Sequence, residues 1–303
     1  MSDPGRQESG PASSAVPFAS VYLRIVLDAS AADAAARIAL LEGTGLGDPL
    51  QQAWPATVPL SSLRTLLQNA ARGRQPGWHL ALVPRLDAAV HGALGFAAWS
   101  APTLAAALEV LLTFGGGRFP FLTFQMRPSG SSVRLVCGSV RGTPVDDALL
   151  LELATLACAN FIVQYVARDP AGLGVLWPGP PRRYRDALTR ATSVPVLSGR
   201  SVYAVEWPRA WLALASPLAD AGLHRLSVER CREQLARVSG RTPLEESVRQ
   251  ALMAAGGRSP GLASIAAARH VAPRTLMRQL RQAGTSYQRI LDEVRATLAA
   301  AAY

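Results

Sequence analysis

The chain has no lysine: all 31 basic residues among its 303 positions are arginine. This excludes chemistry built on an ε-ammonium, such as P-loop phosphate binding, Schiff-base formation and a pyridoxal phosphate linkage. Cysteine is almost as scarce. Cys137, Cys158 and Cys231 are far apart and odd in number, with neither a CxxC nor a Cys/His cluster nearby. A disulfide framework and a structural zinc site are thereby excluded, leaving small buried thiols. There is no GxSxG, and the four histidines (His79, His91, His224 and His270) are scattered without a His–carboxylate–Ser grouping. No enzyme, cofactor or metal site is therefore expected. No apolar run reaches the roughly 18 residues of a membrane span. The opening stretch MSDPGRQESGPASSAVP is polar and rich in Pro, Gly and Ser, without a basic start and apolar run. It is expected to be a disordered tail over 1–17 rather than a signal peptide, which points to a cytoplasmic protein with no membrane partner.

Apolar residues make up 49% of the chain, enough for a sizeable core, and the length allows about two domains. The net charge of +10 is uneven. From residue 225 onward there are 13 arginines against 6 carboxylates, whereas residues 1–224 are close to neutral, with 18 against 15. A small basic domain beside a larger neutral one suggests a nucleic-acid module joined to a sensor.

The first 117 residues read as helices. RIVLDASAADAAARIALLEGTGL is expected to form one helix ended by glycines. PLSSLRTLLQNAARG is a second, with Ser61 or Ser62 near its start and Gly73 past its end. SAPTLAAALEVLLTFGGG is a third, with Pro102 in its first turn, Leu104, Leu108, Leu111 and Leu112 on one face, and three glycines to stop it. The pattern then changes. FPFLTFQMRPSGSSVRLVCGSV has two β-prone runs around Pro-Ser-Gly-Ser and reads as a hairpin. A long apolar helix, VDDALLLELATLACANFIVQYVARDP, precedes two further strands in GVLWP and RSVYAVEWP. The expected class is an α+β domain, with N-terminal helices and an antiparallel sheet in a β-β-α-β-β middle, followed by an all-α helix-turn-helix domain.

The last 60 residues are the most explicit. In TPLEESVRQALMAAGG, Thr242 and Glu245 form a capping box around Pro243, Val248 and Leu252 share a face, and Gly256 and Gly257 end the helix. LASIAAARH is a short helix of small residues around Ile265. Pro273 then opens PRTLMRQLRQAG, with Leu276 and Leu280 inward and Arg274, Thr275, Arg278, Gln279 and Gln282 outward. Two helices that cross closely at small residues, the second with an Arg/Gln face, form a helix-turn-helix. Arg and Gln offer paired groups to guanine and adenine in the major groove, so these five residues are the expected DNA contacts. Thr285 and Gln288 look like another capping box, and Tyr287, Ile290, Leu291, Val294 and Leu298 make an apolar stripe beyond it.

The segment LASIAAARHVAPRTLMRQLRQAGTSYQRILDEVRATLA resembles the first helix-turn-helix of AraC-family transcription regulators. The likeness rests on Ala266, Arg274-Thr275-Leu276, Leu280, Gly284-Thr285-Ser286-Tyr287 and Asp292 to Arg295. Upstream, GALGFAAWSAPTLAAALEVL, PLSSLRTLLQNA and SPLADAGL resemble the arabinose-binding-type sensor domain of one AraC branch. The resemblance implies a sensor over 18–222, a linker with a helix over 223–241, and a DNA-binding domain over 242–303. It also implies double-stranded operator DNA, a small-molecule effector, RNA polymerase and a second copy of the chain as partners. Family members usually place Ser just before the recognition-helix Arg, where this chain has Ala272-Pro273. They also carry two helix-turn-helix units joined by one long helix. This sequence reaches only into that linker helix, so a truncated regulator with weakened DNA affinity and an uncovered stripe from Val294 onward is expected. The alternative is a dimerising sensor that has lost productive DNA binding. Effector contacts are sought among polar or aromatic groups in apolar settings: Phe96 and Trp99, and Asn160, Gln164 and Tyr165 within the long apolar helix.

Overall fold

The computed structural model describes residues 17–139, 148–166, 170–180, 183–192, 194–239, 241–254 and 260–302. The chain divides between His224 and Arg225 into two compact units. Of the expected tail, only Pro17 is described, and it begins a strand.

The first unit opens with β1 (Pro17–Ala19), which pairs antiparallel with β2 (Thr57–Pro59). Between them, the single helix expected from the sequence is two: α1 (Val21–Ser30) and α2 (Ala34–Leu41). The break lies at Asp33, whose extended backbone and carboxylate accepting from the Ala36 amide at 2.8 Å start a new helix. Next come α3 (Leu60–Ala71), a 3₁₀ segment (Trp78–Arg85), α4 (Ala93–Trp99) and α5 (Leu104–Arg118). Two readings of α5 need correction. Its N-cap is Thr103, whose hydroxyl accepts from Ala106, so Pro102 lies before the helix. The three glycines do not stop it; the helix runs through them to Arg118. Gly115 sits against the Phe124 ring, where an added Cβ would lie 3.0 Å away, so helix and sheet meet closely there. Leu112, read as sharing one face with Leu104, Leu108 and Leu111, is exposed while Leu104 and Leu108 are buried.

The hairpin forms as expected. β3 (Leu122–Ser129) and β4 (Ser132–Ser139) join through a two-residue turn with Gly130 at φ +61°. In β4, Val133, Leu135 and Cys137 are buried, alternating with Arg134, Val136 and Gly138 on the other face. The long helix α6 (Ala148–Val166) packs on this sheet. It is followed by β5 (Gly174–Pro178), α7 (Arg185–Thr192), β6 (Val196–Arg200) and β7 (Tyr203–Pro208). The strand order is β3-β4-β7-β5-β6, antiparallel except for the parallel β5–β6 pair. The α+β class holds, while β6, α7 and the parallel pair go beyond what the sequence pattern suggests. α6 also corrects an expectation: its 19 residues have the mean hydropathy, 1.7, of a membrane span. Glu152, Asn160 and Gln164 interrupt its apolar residues, so no unbroken run marks it in the sequence. Here the helix is mostly buried inside the protein. A 3₁₀ segment (Arg209–Ala213) and α8 (Ala221–Ser239) follow.

The second unit holds α8 from Arg225 on, α9 (Pro243–Ala254), α10 (Leu262–Ala268), α11 (Pro273–Gln282) and α12 (Tyr287–Ala302). The capping box of α9 is present: Glu245 accepts from the Thr242 amide at 2.6 Å, and the Thr242 hydroxyl from the Glu245 amide at 3.2 Å. Gly256 and Gly257, read as its stop, lie outside the described residues. The core is Val248, Leu252, Ile265, Ala266, Leu276, Leu280, Ile290, Leu291 and Val294. The expectation of an uncovered stripe from Val294 fails at Val294, which is 2% exposed. The reason is that α9 packs along α12, and Val294 joins the core to which α9 contributes Val248 and Leu252. The side chain of Leu298 lies outside the described residues. The α12 cap is also displaced by one residue. Ser286 Oγ accepts from the Arg289 amide, and Gln288 bonds Asp292 instead of closing a box with Thr285.

Candidate functional site

Two features of the fold could carry function, one in each unit. In the second unit, α10 and α11 are joined by a tight turn over Arg269-His270-Val271-Ala272, with His270 at φ +54° and the Val271 amide bonded to Ala266 O at 3.0 Å. Ala266 is fully buried, so α11 approaches α10 closely where a larger side chain would hold it off. Leu276 and Leu280, both 0% exposed, fix the rotation of α11 about its axis. That rotation leaves Arg274, Arg278, Gln279 and Gln282 exposed, with Thr275 half-buried at the edge. Arg281 joins the same outer surface and α11 contains no acid. Among the described residues, none of these three arginines makes an ion pair. Other arginines of this unit are engaged: Arg249 and Arg241 reach Glu293 at 3.2 and 3.4 Å, and Arg269 bonds Ser247 Oγ. The α11 N-cap is Ala272, with no side-chain cap bond, and Pro273 takes the first helical position.

In the first unit, a cavity of about 150 Å³ lies among α1, α3, α4, α5, α6 and the β3–β4 face of the sheet. Its wall is mostly aliphatic and aromatic, including Leu108, Phe119, Phe121, Phe124, Leu135 and Phe161. One face of α6, from Leu150 through Ala154, Ala157 and Phe161 to Gln164, borders it at helical spacing. The expected effector residues separate here. Trp99, Asn160 and Gln164 line the cavity. Tyr165 is buried behind it, stacked on Trp99 at 5.9 Å with its hydroxyl 3.4 Å from Ala101 O. Phe96 is 44% exposed and is not part of the lining. Asn160 is half-buried and Gln164 exposed, and neither has a hydrogen-bond partner among the described residues.

The wall also carries a polar cluster that the sequence pattern does not mark. The Tyr22 hydroxyl accepts from Arg118 Nε at 3.1 Å and lies 2.8 Å from His91 Nδ1. With its oxygen already accepting from a cation, the phenol donates to His91, which places the imidazole proton on Nε2. Arg118 also donates to Val90 O at 2.6 Å, and its guanidinium lies 5.0 Å from the Tyr22 ring centre. Burial pushes the Tyr22 phenol up to about 12, against the opposing pull of Arg118. Burial, helped by the Arg118 charge, lowers His91 to about 4. Both are neutral at pH 7. The three residues come from three separate segments, and no local pattern marks them as partners.

Elsewhere in this unit, Glu152 sits within α6 at 4% exposure. It accepts from the Tyr184 hydroxyl at 2.7 Å and lies 3.0 Å from His79 Nε2. This cluster ties α6 to the 3₁₀ segment and explains how a carboxylate is tolerated in an apolar helix. His224 bonds Ala97 O at 2.8 Å. Cys158 faces the cavity with its thiol against that of Cys137, and this contact, together with burial, raises Cys158 well above the ordinary thiol range. No group of three or more His, Cys, Asp or Glu residues able to hold a metal occurs among the described residues.

The family described as the arabinose-binding domain of AraC transcription regulators, N-terminal, matches residues 35–216, more than half of the chain. The chain belongs to this AraC family. The ornithine utilization regulator of Pseudomonas aeruginosa is 28% identical over 241 residues, covering 74% of this chain and 66% of that protein. An uncharacterized HTH-type transcriptional regulator of Mycobacterium tuberculosis is 32% identical over 104 residues, covering 34% of this chain and 30% of that one. The match thus spans slightly under two thirds of the first relative and under a third of the second. Among solved structures, the transcriptional regulator CdpR from P. aeruginosa superposes with a TM-score of 0.52 at 19% identity, over 87% of this chain and 84% of that chain. At that identity the likeness concerns the fold.

Proposed function

We propose that this AraC-family chain is a cytoplasmic transcription regulator, not an enzyme. In this reading it binds double-stranded operator DNA through α11 and is controlled by a small molecule in the cavity of its first unit. The sensor occupies 18–222, the linker 223–241 and the DNA-binding domain 242–303, with RNA polymerase and a second copy of the chain as further partners. The observation that carries the reading is the outer face of α11. Arg274, Arg278 and Arg281 are free of ion pairs among the described residues and project from a helix whose rotation is fixed by Leu276 and Leu280. Such a face offers forked donors to guanine edges and phosphates.

Selection from random-sequence duplexes, followed by mobility shifts between 50 and 200 mM salt, tests it. A single helix-turn-helix that neutralises about four phosphates gives a log–log salt slope of about −3.6. A chain that enriches no sequence and shows no salt dependence would be a sensor without DNA binding, and the reading would fail.

A further inference from the structure

The family's name points to a sugar, and the P. aeruginosa relative's name to an amino acid; the cavity of this chain fits neither. We propose that it takes a predominantly hydrocarbon ligand, of the size of one aromatic ring or a short acyl chain, with a single hydrogen-bonding head group. The inference rests on reading the cavity as the effector site.

A pentose brings several hydroxyls, each of which needs a donor or acceptor once water is removed. The wall does not supply them. Phe119, Phe124, Leu135, Leu108 and Phe161 present no polar side-chain atoms. The Tyr22–His91 pair on the wall is occupied with itself and with Arg118. Ornithine requires counter-charges for two ammonium groups and a carboxylate. No arginine is among the lining residues, and the one lining carboxylate, Asp87, is exposed and already accepts from the Val90 amide. An apolar body meets no such conflict. A cavity of about 150 Å³ is of the size that takes up benzene when its walls are apolar.

The head group is placed by what remains unmet. Asn160 and Gln164 are one turn apart on α6, both line the cavity, and neither is hydrogen-bonded among the described residues. Gln164 is exposed and Asn160 half-buried, so this pair sits where the cavity meets solvent. A hydroxyl, carbonyl or carboxylate there keeps its contact with water while the hydrocarbon enters.

The test uses the full chain in thermal melts followed by tryptophan fluorescence, which reads the first unit because all six tryptophans lie there, with five probes: n-octanol, octanoate, 4-ethylphenol, L-arabinose and L-ornithine. Variants Ala157→Trp, which fills the cavity from α6, and Asn160→Leu accompany the parent. At about a hundredfold excess over Kd, an octyl or ethylphenyl probe raises Tm by about 5–10 °C. Ala157→Trp abolishes that shift, and Asn160→Leu weakens binding about two- to tenfold. Arabinose and ornithine leave Tm unchanged. If arabinose or ornithine stabilises the parent and Ala157→Trp removes the effect, the ligand class is wrong while the effector cavity stands. If a probe's shift survives Ala157→Trp, binding lies elsewhere and both readings fall. The absence of any shift with the three apolar probes also overturns the proposed class.

Discussion

Arg278 and Leu280 are two residues apart on α11, yet their substitutions should have opposite consequences. Leu280 is 0% exposed in a core of nine buried residues. Truncation to Ala removes three carbons and leaves a cavity that packed helices fill only in part, costing about 2–5 kcal/mol. A unit of about 80 residues has about 4–12 kcal/mol in total, so Leu280→Ala removes a large share of it. Arg278 is exposed and makes no ion pair among the described residues, so Arg278→Ala should change stability by less than about 0.5 kcal/mol. Its effect should fall on DNA. Loss of a base contact costs about 1–3 kcal/mol, or roughly 5- to 150-fold in affinity, and loss of a phosphate contact reduces the salt slope by about 1. Because the chain has two units, a whole-chain melt mixes their transitions. Hydrogen exchange of the α11 amides reads the second unit alone, and mobility shifts on a selected duplex read binding. The reasoning is refuted if Arg278→Ala loses as much protection as Leu280→Ala, or if it binds DNA as tightly as the parent at matched salt.

Other substitutions follow the same logic. Gly95→Ala should destabilise the first unit by at least about 2 kcal/mol, because the new Cβ would overlap the Ala88 carbonyl oxygen and lie 2.7 Å from its carbon; a Gly95→Ala variant with unchanged Tm would contradict this. His270→Gly should stabilise the second unit by about 0.5–1 kcal/mol by relieving a left-handed conformation at φ +54°, as measured by urea denaturation. His91, lowered from 6.5 to about 4, binds a proton in the unfolded chain before it does in the folded one. Its contribution is therefore complete above pH 6.5 and disappears as pH falls toward 4, a change of order 3 kcal/mol that His91→Gln should largely remove from the pH profile.

What the sequence made legible is what local physics decides. The α9 capping box needs only Thr242 and Glu245 three residues apart, and both reciprocal bonds form. The rotation of α11 follows from two leucines four residues apart on a helix that is otherwise polar except for Pro273 and Met277, so the residue pattern by itself identifies its outer face. The sheet is different. Pairing β5 with β6 in parallel across α7, and inserting β7 between β4 and β5, depends on contacts remote in sequence. The β6 stretch VLSGR, flanked by Pro195 and containing Gly199, carries little strand signal of its own.

The cavity falls between these cases. α4 and α6 are apolar nearly all round, so neither has a polar side to show which way it turns. Phe96 and Trp99, on the same short helix, therefore could not be separated, though one is exposed and the other lines the cavity. Size carried a signal that hydrophobicity did not. On the cavity side α6 offers Ala154 and Ala157, where elsewhere it buries Leu156 and Ile162 completely. α4 and α5 likewise contribute Gly95, Ala98 and Ala107 to the lining. Facing helices that both present small side chains leave unfilled volume, which a well-packed interior otherwise excludes. Filling it with Leu or Phe would bury more apolar area in the empty protein. A wall of small residues inside a ring of Phe and Leu makes sense when the missing hydrocarbon comes from a ligand, so the free energy of completing this core becomes available to favour the bound state.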